Sequence, residues 1–256
     1  MLAGLLTLLG CFFFVHFVIC TPGATSLDTA SPNSPNSPVT DGKRVRAAPP
    51  IGYCGGLNDT TILTTGDDLA GPGFWITDGD VGAETKFFFL YENSRDEHPW
   101  KYLSLAAGGT AFVSVCETWE GRVVRGLPSV NMDGKVHNLG TWFQSSIAAD
   151  GWMWGAISFL EGCDGGGSVS ATDGSSDIRE CDMDLLTQAP ADALATKDTG
   201  TQALDKLVGD TANGAARDWE LAKCSPDQVW IDVNNTGPVI KSTNGRLAFT
   251  FFLGNA

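Results

Sequence analysis

Apolar and polar residues alternate with a period of two through much of the chain, the spacing of strands with one covered face. Residues 86–91 (KFFFLY), 100–105, 110–115 (TAFVSV), 121–125 (GRVVR) and 141–147 follow one another closely, with Gly, Asn and Pro between them. Shorter β-like pieces precede them at 60–65 and 74–77, and others return at 229–233, 239–240 and 246–253. Short strands at this spacing predict an antiparallel β-sandwich. The organising stretch is 151–167. Trp152, Trp154, Ala156 and Ser158 fall on one side of a strand, Met153, Ile157 and Phe159 on the other, so both faces are apolar and the strand is interior. Trp152 and Trp154 are read as core, with stacking on sugar rings as the alternative. The strand stops in a glycine-rich turn that carries Glu161 and Asp164.

After that turn the texture changes. Residues 182–187, 191–197, 202–208 and 215–223 read as short helices, with Pro190 near a start, Gly209 after a stop and Asn213 placed to cap the last. The prediction is a mainly β protein, a sandwich with a small helical lobe at about 172–224 inserted before the last strands. Asn244-Gly245 predicts a hairpin between the strands around it. Residues 47–84, rich in Gly, Asp and Thr, are expected to form an N-terminal extension laid over the body and tied by Cys54. A lobe at the edge of a sandwich leaves a crevice, where ligands bind.

The beginning of the chain adds an address. Residues 1–20 are apolar and run into small residues, the pattern of a removed signal peptide; basic flanks expected of a membrane anchor are missing on the far side. Residues 21–46 form a disordered pro-segment: its SPNSPNSPVT run buries too little apolar surface to fold, and Lys43-Arg44 offers a secretory protease a dibasic site. The expected product is secreted and extracellular. Two sequons, at Asn58 and Asn234, fit a glycoprotein.

Sixteen Lys and Arg against thirty Asp and Glu give a net charge of −14, which repels nucleic acid and anionic lipid and leaves neutral or cationic partners such as polysaccharide. Cys54, Cys116, Cys163, Cys181 and Cys224 remain after signal removal, suggesting two disulfides and one thiol left over, or an intermolecular bond. No Cys-x-x-Cys or His-rich cluster accompanies them and no spacing matches a calcium loop, so neither metal nor cofactor is expected. The three histidines, one inside the signal, make a Ser-His-Asp or Cys-His enzyme a poor fit.

Six segments, in order across residues 85–256, resemble the thaumatin-like proteins. KFFFLY at 86–91 looks like their first strand; Gly121-Arg-Val-Val-Arg125 is similar to their Gly-Arg-x-Trp-x-Arg, with Val124 in place of Trp; Ala156-Ile-Ser-Phe-Leu-Glu161-Gly162 resembles their Asp-x-Ser-x-x-Asp-Gly. Cys181 through Pro190 looks like the opening of their helical lobe, Cys224-Ser-Pro226 like the segment before their closing strands, and residues 245–251 like their terminal strand. The resemblance implies a Cys181–Cys224 disulfide closing the lobe and assigns no partner to Cys54, Cys116 or Cys163. It also departs from the family, whose members carry many more disulfides; eight Trp and fourteen Phe offer a larger apolar core instead.

The same resemblance implies a cleft that binds β-1,3-glucan, with Arg125 in the place of the family's Arg, Gln144 near its Glu, Ala156 and Glu161 at its first two Asp, Asp232 or Asn234 near its last, and Asp164 as an added carboxylate. Glycoside hydrolysis needs two facing carboxyl groups, one protonated and one ionised. Gln144 and Ala156 break the inherited set, although Glu161 with Asp164 or Asp232 remains a candidate pair. The expected function is binding of cell-wall carbohydrate by a fungal secreted protein, more so than catalysis. The alternatives are a weak endo-β-1,3-glucanase and a secreted effector acting on a host protein through its acidic surface.

Overall fold

Two β-sheets hold most of the strands in the computed structural model, which describes residues 54, 60–66, 70–82, 84–93, 95–233 and 238–255. The segments read as signal peptide (1–20) and pro-segment (21–46), and the sequons at Asn58 and Asn234, lie outside the described residues. In chain order the strands of the body are β1 (Ile62–Leu63), β2 (Gly73–Asp78), β3 (Lys86–Glu92), β4 (Lys101–Leu105), β5 (Thr110–Ser114), β6 (Glu120–Gly126), β7 (Trp142–Ile147), β8 (Met153–Ser158), β9 (Gly167–Ala171) and β10 (Ile178–Cys181). A short helix, α1 (Pro128–Asn131), follows β6. The lobe supplies a 3-10 turn at Ala191–Ala193, then β11 (Leu194–Thr196), β12 (Gln202–Leu204) and α2 (Gly214–Lys223); β13 (Ile240–Ser242) and β14 (Arg246–Phe251) close the chain.

One sheet runs β1-β4-β3-β6-β7-β8-β13 and the other β10-β9-β14-β2-β5. Pairing is antiparallel except for β1 with β4 and β14 with β2. Between the sheets lies an aromatic centre: Phe74 and Phe249 stack at 4.8 Å between ring centroids, Phe143 and Phe251 approach to 4.3 Å, and Phe88 sits 4.8 Å from Phe251. All five are fully buried. Each such side chain contributes about 1.5–3 kcal/mol by leaving water. Two disulfides, Cys54–Cys116 and Cys181–Cys224, add covalent closure, the second as the resemblance implied. Among the described residues Cys163 is the free cysteine; it is buried, and burial pushes its thiol pKa well up.

The structure corrects several expectations. Strand β2 is no overlay on the body: it pairs with β14 on one side and β5 on the other. The Asn244-Gly245 turn joins no hairpin, because β13 pairs with β8 in the first sheet while β14 enters the second. Gly245, at φ +72°, makes the reversal that carries the chain from one sheet to the other. Of the four helices expected in the lobe, only the last forms as read: Asn213 Oδ1 accepts from the Ala216 amide at 3.0 Å at the start of α2. Residues 191–204 instead make the 3-10 turn and the β11–β12 hairpin, reversed around Gly200 at φ +87°. Residues 182–187 are irregular, with Asp184 Oδ1 accepting from the Leu186 and Thr187 amides.

His137 links the loop after α1 to the β11–β12 hairpin. Its Nε2 lies 2.8 Å from Asp133 Oδ1 and its Nδ1 2.6 Å from Asp198 Oδ2. Only the imidazolium donates from both nitrogens, so the neutral ring must turn a lone pair on one carboxylate. Burial lowers the His137 pKa, but the two carboxylates outweigh it and the net shift is upward. A raised folded-state pKa gives stability that is complete below the unfolded value, near 6.5, and is lost as pH rises through the folded value. The thermal unfolding midpoint of the wild type is therefore expected to fall across that alkaline flank by more than that of His137→Gln. Parallel curves for the two proteins would show that the link contributes nothing.

Candidate functional site

A polar row crosses the outer face of the seven-stranded sheet. Alternation along β6 turns Val123 toward the second sheet and Arg122 and Val124 away from it. The ladder register then aligns Tyr91, Arg122, Gln144 and Ala156 across β3, β6, β7 and β8. The Arg122 guanidinium lies 4.7 Å from the Tyr91 ring centroid and 4.1 Å from that of Trp142, close enough for attraction to both π-faces. Its Nη1 donates to Asp96 Oδ1 at 2.6 Å and its Nη2 to Asn138 Oδ1 at 3.1 Å. Its Nε is buried without a hydrogen-bond partner. Burial pulls the guanidinium pKa down, opposed first by Asp96 and further by Tyr91 and Glu161.

Glu161 joins this group from the turn after β8. The Leu207 amide donates to the Leu160 carbonyl at 2.8 Å, which brings Lys206 beside the turn, and the Gly140 amide donates to the Glu161 carbonyl at 3.1 Å. Gly162 makes the turn at φ +104°; a Cβ there would stand 2.4 Å from Leu139 Cδ1 and 2.7 Å from the Leu204 carbonyl, so no other residue fits. Partial burial raises the Glu161 carboxyl pKa, against the pull of Lys206 and Arg122. No hydrogen bond to a described residue occupies that carboxylate. Glu161 is thus half-buried and free to bond a ligand, beside two cations and, through Arg122, beside Asp96.

Asp164, three residues on, does something different. Arg125 Nη2 donates to Asp164 Oδ1 at 3.2 Å, Lys197 Nζ to Asp164 Oδ2 at 2.5 Å, and the Thr141 amide to Oδ1 at 3.2 Å. The Arg125 and Asp164 side chains are 0% and 1% exposed. Burial raises the Asp164 pKa, but Lys197 and then Arg125 overcome it, and the net shift is downward. Arg125 Nη1 also reaches the Phe252 carbonyl at 3.3 Å, so the triad ties β6, the β11–β12 hairpin and the segment after β14 together. Gly165 allows this: a Cβ there would stand 2.2 Å from Arg125 Nη2.

The residues expected in one cleft are therefore divided. Arg125 and Asp164 meet each other in a closed ion cluster, not in a ligand site, because β6 alternation points Arg125 inward. Gln144 stands next to Arg122 on the outer face, and Glu161 at its rim. Asp232 pairs with Arg217 of α2 at 3.1 Å. Ala156 is fully buried on the row. Arg122, Asp96, Trp142 and Lys206 were missed. Alternation alone could have marked Arg122, since it shares a face with Val124 while Arg125 shares one with Val123; no local signal marks Lys206, which tertiary packing brings in. Trp152 and Trp154 are half-buried on the outer face and are not core, contrary to expectation.

No protein-family model and no curated protein matches the sequence. Among solved structures, a thaumatin-like xylanase inhibitor is similar at a TM-score of 0.40 and 10% identity, over 70% of this chain and 97% of that one. A laminaripentaose-producing β-1,3-glucanase in complex with laminaritetraose is similar at a TM-score of 0.33 and 16% identity; the match covers 53% of this chain and about half, 52%, of the glucanase.

Proposed function

We propose that this is a secreted, thaumatin-like protein that binds a neutral cell-wall polysaccharide of the β-1,3-glucan kind on the outer face around Arg122 and Glu161. The observation that carries this reading is the half-buried Glu161 carboxylate, set near Lys206 and Arg122, with no hydrogen bond to a described residue. A carboxylate accepts hydrogen bonds from sugar hydroxyls and an ammonium donates to them. The net charge of −14 disfavours polyanions. Two disulfides support an oxidising, extracellular setting, and no helix among the described residues is long and apolar enough to cross a membrane.

Binding is preferred to hydrolysis because the carboxylates first paired with Glu161 are engaged elsewhere, Asp164 by Arg125 and Lys197 and Asp232 by Arg217. On insoluble β-1,3-glucan the secreted protein should be retained without release of reducing ends. Glu161→Gln should weaken retention about tenfold or more, the loss of a hydrogen bond to a charged group. Equal retention of the variant removes Glu161 from the site, and steady release of reducing ends replaces binding with hydrolysis.

A further inference from the structure

The same sheet face continues beyond Arg122 to a pair of tryptophans. On the outer face Ser146 of β7 pairs with Glu120 of β6 and with Trp154 of β8, and Trp154 pairs in turn with Lys241 of β13. Trp152 lies two residues before Trp154 and on the same side. Both rings are half-buried, and the Lys241 ammonium lies 4.2 Å from the Trp152 centroid and 5.7 Å from that of Trp154. A lone Trp on a surface is ordinary; two on one face, with an ammonium beside them, are a surface suited to a flat, hydroxyl-bearing ligand.

We propose that Trp152 and Trp154 form a second subsite for the glucan chain, in line with the Arg122–Glu161 group, so that the protein reads several consecutive sugar rings. This rests on the binding reading given above. Arg122 and Trp154 are two strands apart and offset by two residues, about 12 Å from strand spacing and rise. A disaccharide held at Glu161 stops short of Trp154, whereas a longer chain spans that distance. Neutral sugar is the occupant because its C–H faces stack on indole and its hydroxyls bond the Lys241 ammonium. Anionic chains would meet Lys241 but also Glu120 on the same face and the acidic body as a whole.

The test compares a β-1,3-linked disaccharide with a hexasaccharide by calorimetry. Trp154→Ala should weaken hexasaccharide binding about tenfold and leave disaccharide binding unchanged. Trp152→Phe, which keeps an aromatic ring in place, should give a smaller loss on the hexasaccharide alone and guards against a folding defect. Equal affinities of the wild type and both variants for the hexasaccharide overturn the subsite. So does an equal loss on both sugars by variants that fold normally. If the wild type binds neither sugar, the glucan reading falls and the subsite with it; if it binds both equally well, only the subsite falls.

Discussion

Asp164→Asn unfolds about 3–5 kcal/mol more easily than the wild type, because it removes the counter-charge of two buried cations. Asp164 Oδ1 faces Arg125 and Oδ2 faces Lys197, in a cluster with almost no exposure. Taking these charges out of water is costly, and mutual attraction offsets that cost only while all three remain. An amide fills nearly the same volume and still accepts from the Thr141 amide, so the loss reports charge rather than packing. The segment after β14 should loosen as well, since Arg125 and Lys197 reach the Phe252 and Asn255 carbonyls. Denaturant titration near neutral pH measures the effect. The net downward pKa shift of Asp164 fixes its pH dependence: its stabilisation is present above the unfolded value, near 3.9, and is lost as pH falls through the lower folded value. A loss below about 1 kcal/mol would mean that water reaches the cluster.

The opposite sign is expected at Glu220. Its side chain lies on the inner face of α2 with Ala216, fully buried, and neither carboxylate oxygen has a hydrogen-bond partner. Burial alone pushes its pKa well above the ordinary value. A carboxyl pKa raised by folding means that the native state holds its proton more tightly, so stability is greatest in acid and falls as pH rises above the unfolded value, near 4.3. Glu220→Met removes the polar atoms and keeps the length of the side chain. Its expected result is a gain of about 1–3 kcal/mol near pH 7, the cost of a buried polar group without a partner. The gain should shrink toward pH 4. A variant less stable than the wild type at every pH would show that Glu220 has a polar partner in solution.

Trp152 and Trp154 show where sequence reading gave out. Their alternation with Met153 correctly made β8 an interior strand, between β7 and β13. Both sides looked apolar, yet only the Met153 side packs against the second sheet. The lobe failed for another reason. Ala- and Leu-rich runs such as ALATK and QALDKLV have helical composition, but Lys197 is required at Asp164 and Leu204 exchanges backbone hydrogen bonds with Cys163, and those long-range contacts select the β11–β12 hairpin. The turn residues Asp198-Thr199-Gly200 were the local hint. Glu161 was singled out because it opens a glycine turn after a buried strand, and the structure places it half-buried near Arg122 and Lys206. Arg125 was chosen by motif likeness over strand parity, and parity was the stronger guide.

Period-two patterning and turn residues were enough to specify the β-rich body and most of its strands, because side-chain direction along a strand is a local property. Which strands neighbour one another was beyond local reach: β2 beside β14, β13 and β14 in different sheets, and Arg125, Asp164 and Lys197 in one ion cluster are all settled by residues far apart in the chain. Burial of charge and of aromatic surface is a property of the packed whole, so the closed ionic anchor at Asp164 and the half-buried Glu161 near Arg122 emerged only in three dimensions.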